Sequence, residues 1–419
     1  MPSSESITVK KLGICLSGGG YRAALFHLGV LRRLNELGLL TQADTISSVS
    51  GGSIMSAHLA QAYVSNPPGQ GPYPNWEETI AQPFRKFCQR DIRTAPILKR
   101  LFLPWCWFQR STQVNALMSR YEKHLTRIDL SQLPQSPQFV FCATDVVFGV
   151  NWEFKSDKVG DYLAGEVTTP KSWKVARAVA ASSCFPPLFG PMPVGKDFVK
   201  EKRSKTNPPT DKDKLLSKIR LSDGGLYDNL GLEPAKHCDI VIASDGGAPF
   251  RAVKPGSPFR LLARYFDITA NQVGALRKRW LMDDFRTQVS VGGDIQPKRQ
   301  GTILPIDKRS TNRDDPAAPG YEKDLVDKYI SSIRTDLDGF TSAEIGVLEN
   351  HGYLIADRVI KNHTPELVTG TWPKLEPPHP EMLDPDFVKD KLKNSSKRFS
   401  ASRILGKLFG GTSGGDSKL

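Results

Sequence analysis

No apolar run in this chain of 419 residues reaches the roughly 20 residues that a membrane-spanning helix needs. The stretch Met1 to Lys11 is polar and lacks the apolar segment of a secretory signal, so the expectation is a cytoplasmic or peripheral membrane protein. Cysteine is sparse: Cys15, Cys88, Cys106, Cys142, Cys184 and Cys238 are scattered, and no two form a C-x-x-C pair. That spacing suggests neither a zinc site nor a disulfide framework, which leaves most of these thiols as small core residues. The seven histidines fall in no recognisable motif, and His27 and His58 lie within helical patterns. Internal repeats and the signatures of nucleic-acid-binding modules are also missing, so no nucleic acid partner is expected.

What is present is an ordinary globular composition, 39% hydrophobic and 24% charged, with 57 Lys and Arg against 44 Asp and Glu for a net charge of +13. A basic balance favours a polyanionic partner, and an anionic membrane surface suits the remaining features. The length exceeds that at which one core usually stops growing, so one large domain with an appended region is expected. Residues 1–250 form the expected catalytic domain, 251–365 a helical C-terminal region packed on it, and 366–419 a proline-rich and then basic flexible tail.

Hydrophobic periodicity gives an alternating opening. Ile7 to Leu16 reads as a strand, Tyr21 to Leu37 as a helix stopped by Gly38, Ile46 to Val49 as a strand and Ser53 to Val64 as a helix. Such alternation implies a mostly parallel sheet with helices on both faces. An insertion, 65–110, breaks the pattern with prolines and glycines and then with an apolar, tryptophan-rich tip, Leu101 to Phe108, which is either a lid or membrane contact or plain core. The segment 196–218 is lysine-rich and reads as a mobile loop. Later, Thr341 and Glu344 form a capping box and Phe340 and Ile345 a hydrophobic staple at the start of a helix.

Three short segments carry chemistry. Gly18, Gly19 and Gly20 stand between a strand and a helix start, where successive N–H groups and the positive helix end suit a developing oxyanion. Arg22, just inside that helix, could steer an anionic head group or tie the loop down. Ser50 lies between a strand and a helix among small neighbours, with Gly51 and Gly52 following, the setting of a nucleophile elbow. Ser48 replaces the first glycine of the usual G-x-S-x-G pattern. Asp223, followed by Gly224 and Gly225, supplies an acid able to take the serine proton, and together the segments describe an esterase that needs no histidine.

In their order and context these motifs resemble the patatin-like phospholipase family over about the first 250 residues, with further local matches at Ala143-Thr144-Asp145 and Ala181 to Pro187. The resemblance implies a three-layer α/β/α patatin-like fold, with the 65–110 insertion lid-like and the C-terminal extension helical. It also implies Ser50 as nucleophile, Asp223 as its base, and Gly18 to Gly20 with Arg22 as the oxyanion loop. A phospholipid or glycerolipid substrate follows, with no metal and no cofactor. A second Asp-Gly-Gly at Asp245 has the same spacing, but the run Asp223 to Asn229 matches the family's motif better. An aspartate is a weak base at its usual pKa, so burial that raises it is expected.

Rival readings are weaker. A dinucleotide fingerprint would use Gly18 and Gly20 with Asp44, yet Asp44 precedes the second strand instead of ending it. A Ser-His-Asp hydrolase would recruit His237 or His351, but only one strand precedes the one that carries Ser50. The alternative from another class is a catalytically weak membrane-associated scaffold that keeps the fold, supported only by the Ser48 departure.

Overall fold

The structure, a computed structural model, describes residues 10–69, 71–93, 112–186, 189–205, 211–250, 252, 258–291, 294–312, 315, 318–393 and 395. Its strands are β1 (Leu12–Leu16), β2 (Ala43–Val49), β3 (Gln138–Asp145), β4 (Val150–Phe154), β5 (Lys158–Asp161), β6 (Gly165–Thr168), β7 (Met192–Pro193), β8 (Arg220–Asp223), β9 (Ile240–Asp245), β10 (Gln288–Val291), β11 (Asp294–Pro297) and β12 (Gln300–Pro305). The main sheet runs β12-β9-β1-β2-β3-β4-β5-β6, and β12 through β3 are mutually parallel. Continuous apolar runs such as Leu12 to Leu16 form these inner strands because both faces are covered. Beyond β3 the sheet continues as an antiparallel meander.

Alternate side chains of β1 sort into the two helical layers. Leu12, Ile14 and Leu16 join the main core with the helices α1 (Gly20–Glu36) and α2 (Gly51–Ser65). Cys15 faces the other way, clustered with Val241, Ala243, Cys238 and Leu281. Leu281 belongs to the long helix α3 (Pro258–Arg286), which covers that second face. The result is the three-layer α/β/α arrangement.

The C-terminal region is helical as expected, and it also adds β12 to the sheet edge and the β10-β11 hairpin. Its helix α4 (Ser342–His363) begins with the anticipated capping box, Thr341 accepting from the Glu344 N–H. It packs on α1 so closely that a Cβ on Gly29 would lie 1.9 Å from the Glu349 carbonyl oxygen.

One expectation is corrected. The segment 196–218 is not simply a loop: Lys196–Lys205 is helical, and Phe198 is fully buried against Trp152. Charge alone suggested solvation, but one aromatic anchor holds the helix. In the 65–110 insertion, Tyr73, Trp76, Ile80, Phe84 and Phe87 are core residues. The tip, Leu101 to Phe108, and the basic tail beyond Ser395 lie outside the described residues. The five described cysteines are buried and unbridged.

Candidate active site

The strand order reverses at β1: the chain proceeds outward through β2 and β3, then returns to place β9 on the other side. Crevices at the carboxyl ends of strands beside such a switch point are where α/β sheets bind ligands. The glycine loop leaves the end of β1, Ser50 the end of β2 and Asp245 the end of β9. Asp223 arrives by a different route. β2 pairs with β3 up to Val49 opposite Cys142, and the same edge of β3 is then taken over by β8, running antiparallel, with Asp223 opposite Ala143. Two strand ends thus meet head to head on consecutive residues of one strand, and Ser50 and Asp223 are adjacent as a result.

Ser50 has φ 49° and ψ −112°, a conformation rare for a residue with a Cβ. Such strain costs on the order of 1–3 kcal/mol and persists only where neighbours enforce it. Here the enforcement is a group of hydroxyls. The Ser50 N–H donates to Ser182 Oγ at 2.9 Å, and Ser182 Oγ donates to the Cys142 carbonyl at 2.6 Å. Ser53 Oγ lies 2.9 Å from Ser182 Oγ, within hydrogen-bond distance. Ser48 lies 3.2 Å from Ser53 and within reach of the Val140 carbonyl, so the residue that departs from the usual elbow pattern joins this group. On the other side the turn abuts the glycine loop: a Cβ on Gly51 would fall 2.2 Å from the Gly20 carbonyl oxygen. The Gly52 N–H donates to the Ser17 carbonyl at 3.0 Å.

In the glycine loop, the Gly18 N–H is committed to the Asn229 carbonyl at 2.9 Å, which departs from its expected part as an oxyanion donor. Gly19 (φ 141°) turns the chain into the helix that opens at Gly20. The N–H groups of these two glycines therefore sit at a positive helix end beside Ser50. Arg22 is buried and donates to the carbonyls of Gly246 and Ile333, each at 3.1 Å. Of the two roles the sequence left open for it, these bonds match tying the loop down.

Asp223 is 3% exposed. Its Oδ1 accepts the Gly225 N–H at 2.8 Å, and Oδ2 is buried without a well-aligned hydrogen-bond partner among the described residues. Burial pushes the carboxyl up to about 6, against the opposing pull of the Gly225 N–H and the Ser50 hydroxyl. The adjoining Gly224 N–H donates to the Ser182 carbonyl at 3.2 Å. Asp245 is differently placed, bonded to the Gly247 N–H at 3.1 Å and ion-paired with Lys278.

These groups open into a cleft of about 650 Å³, of ordinary size for a small-molecule site. Its apolar wall includes Phe185, Phe189, Leu230, Pro249 and Phe250, and α3 contributes Arg264 and Lys278. Among the described residues no histidine lines it. His237 lies exposed on the surface, and His351 is buried in α4 with Nε2 on the Ile306 carbonyl at 2.8 Å. Asp44 accepts the Leu12 N–H at 2.7 Å, at the end of β1 opposite the glycine loop, where no bound dinucleotide could use it. Sequence reasoning missed the α3 wall and the role of Ser182. In the sequence the run Ala181-Ser182-Ser183 carries only a family likeness and no signal of this bracing role. Among the described residues no group of three or more His, Cys, Asp or Glu could hold a metal ion, and no helix is long and apolar enough to cross a membrane.

The sequence model of the patatin-like phospholipase family matches residues 14–236, just over half of the chain, and takes in all three motifs. The chain belongs to the patatin-like phospholipase family. Beyond that model, a 43-residue stretch is 46% identical to the candidate meiotic phospholipase SPO1 of Saccharomyces cerevisiae, covering 10% of this chain and 7% of that protein. Among solved structures, human GIVD cytosolic phospholipase A2 in complex with methyl gamma-linolenyl fluorophosphonate aligns over 86% of this chain and 60% of its own, at 14% identity and a TM-score of 0.50. VipD from Legionella pneumophila aligns over 84% of this chain and 67% of its own, at 12% identity and a TM-score of 0.36. At such identities the human enzyme speaks for the shared fold alone. This patatin-like chain spans less than two thirds of that enzyme and a small fraction of the yeast protein.

Proposed function

We propose that this chain is a serine lipid acyl hydrolase of the phospholipase or lysophospholipase type, acting on fatty-acyl esters of phospholipids or glycerolipids at an anionic membrane surface. The observation that carries the reading is the juxtaposition of Ser50, on a strained elbow, with a buried Asp223 whose Oδ2 has no well-aligned partner among the described residues, inside an apolar-walled cleft.

Asp223 takes the Ser50 proton as Oγ attacks the ester carbonyl, and the negative charge on the carbonyl oxygen falls to the N–H groups of Gly19 and Gly20. Asp223 returns the proton to the departing alkoxide, leaving an acyl-Ser50 ester. A water molecule, deprotonated by Asp223, then releases the fatty acid, and the proton goes back to Ser50. The raised carboxyl makes Asp223 a better base than an ordinary aspartate while leaving it largely ionised at neutral pH.

The test is fatty-acid release from mixed phospholipid and glycerolipid vesicles, alongside labelling by a fluorophosphonate serine probe. Release and labelling by the wild type, both lost in Ser50→Ala, are expected. Vesicle binding by a wild type that neither labels nor releases fatty acid would leave the scaffold reading in its place.

A further inference from the structure

His27 lies on α1, two turns beyond the glycine loop, and is fully buried. Its Nε2 is 2.9 Å from the Ser17 carbonyl oxygen and its Nδ1 is 2.7 Å from Ser244 Oγ. A carbonyl oxygen only accepts, so Nε2 carries the proton, and Nδ1 takes the hydroxyl hydrogen of Ser244. Burial pushes the imidazole down to about 4, the Ser17 carbonyl and the charge of Asp245 opposing, so the ring is neutral at neutral pH.

Ser17, the residue His27 grips, is where three segments of the site join. Its carbonyl also accepts the Gly52 N–H from the nucleophile helix, its N–H donates to the Ser244 carbonyl at 3.1 Å, and its Oγ accepts the Gly246 N–H at 2.8 Å. The Ser17 carbonyl belongs to the peptide unit that leads directly into Gly18. A ring that fixes this peptide plane fixes the direction in which the following glycines point.

We propose that His27 is a positioning residue for acyl transfer: in its Nε2–H tautomer it clamps the Ser17 carbonyl and so aims the Gly19 and Gly20 N–H groups at the oxyanion. The inference rests on the acyl-hydrolase reading above and gives a catalytic task to a histidine that sequence reasoning left as structural. His27 does not touch the substrate. Its effect passes through the loop, and a displacement of about 1 Å in such a donor set costs as much as about 100-fold in rate.

The experiment measures steady-state hydrolysis of a p-nitrophenyl acyl ester in detergent micelles, with melting temperatures, for the full chain and the variants His27→Gln, His27→Asn and His27→Phe. The glutamine amide nitrogen can occupy the Nε2 position and donate to Ser17, whereas the asparagine amide falls short of it. His27→Gln is expected to keep kcat within about threefold, and His27→Asn and His27→Phe to lose about 10- to 100-fold with KM within about twofold. Should the phenylalanine variant not fold, the Gln and Asn pair decides alone. Equal kcat in those two, or a loss that follows melting temperature across the series, overturns the inference. Equal turnover by wild type and Ser50→Ala would instead overturn the catalytic reading beneath it, before any His27 variant is made.

Discussion

Lys278 sets its ammonium against Oδ2 of Asp245, the second of the two Asp-Gly-Gly aspartates, while Oδ2 of Asp223 has no comparable partner among the described residues. Burial makes the Asp223 carboxyl easier to protonate than an ordinary aspartate, although the Gly225 N–H and the Ser50 hydroxyl pull the other way. Asp223→Asn is therefore expected to lower kcat by about 100-fold or more, the usual contribution of a general base. Asp245→Asn should keep turnover within about tenfold of wild type, because its loss loosens a loop and removes no base. Fatty-acid release by the two variants checks this, and the reverse pattern would move the base to Asp245.

The raised carboxyl has consequences for both rate and stability. Turnover should climb as pH rises through about 6, where Asp223 becomes the base. Stability moves the other way. Because the folded pKa lies above the unfolded value of 3.8, the native state holds more protons between the two, and stability falls as pH rises through that window. The loss is on the order of 2–3 kcal/mol once the group is ionised. Asp223→Asn should thus melt at a higher temperature than wild type at pH 7 and at nearly the same temperature at pH 3.5. Calorimetry at the two pH values reads this directly, and an unchanged melting temperature at pH 7 would count against the shift.

Ser182 is expected to matter out of proportion to its distance from the ester. Ser182→Ala removes the acceptor of the Ser50 N–H and the donor to the Cys142 carbonyl, leaving two buried polar groups unsatisfied. A cost of about 1–3 kcal/mol in stability follows. The elbow also loses its brace, so kcat should fall by roughly tenfold or more with KM little changed. Denaturant titration and ester kinetics on the same sample separate the two effects.

A second set of charges holds the C-terminal helix in place. Glu349 is fully buried and accepts from Arg85 at 2.6 and 2.8 Å and from His379 at 3.0 Å, with Arg32 beside it. Burial alone would raise this carboxyl, but the hydrogen bonds of His379 and Arg85 and the charges of Arg85 and Arg32 outweigh it and hold it at about 2. Its contribution is present above the unfolded value of 4.5 and is lost as pH falls through about 2. Arg85→Met strands a buried carboxylate and should cost about 3–5 kcal/mol at neutral pH, measured by chemical denaturation. Less than 1 kcal/mol would show that the remaining cations suffice.

Much of this was legible in the chain because it is local. Leu12 to Leu16 followed by Gly18 to Gly20, and Ile46 to Val49 followed by Ser50 to Gly52, are strand-turn-helix signals written in neighbouring residues, as is the capping box of Thr341 and Glu344. Backbone preference and hydrophobic period act over a few residues, so the alternating layers, the glycine loop and the serine turn could be read without coordinates. Other features depend on residues far apart in sequence. That Asp223 meets Ser50 follows from β8 replacing β2 along one edge of β3, a matter of register that no local pattern encodes. That Asp245 is ion-paired depends on Lys278, 33 positions later, and that Phe198 anchors a lysine-rich helix depends on Trp152. Sequence by itself determined which segments could build an esterase site. Tertiary structure decided which of the two Asp-Gly-Gly carboxylates is buried beside Ser50 and which is paired with a lysine, because burial and charge pairing belong to the assembled fold and not to the residues one at a time.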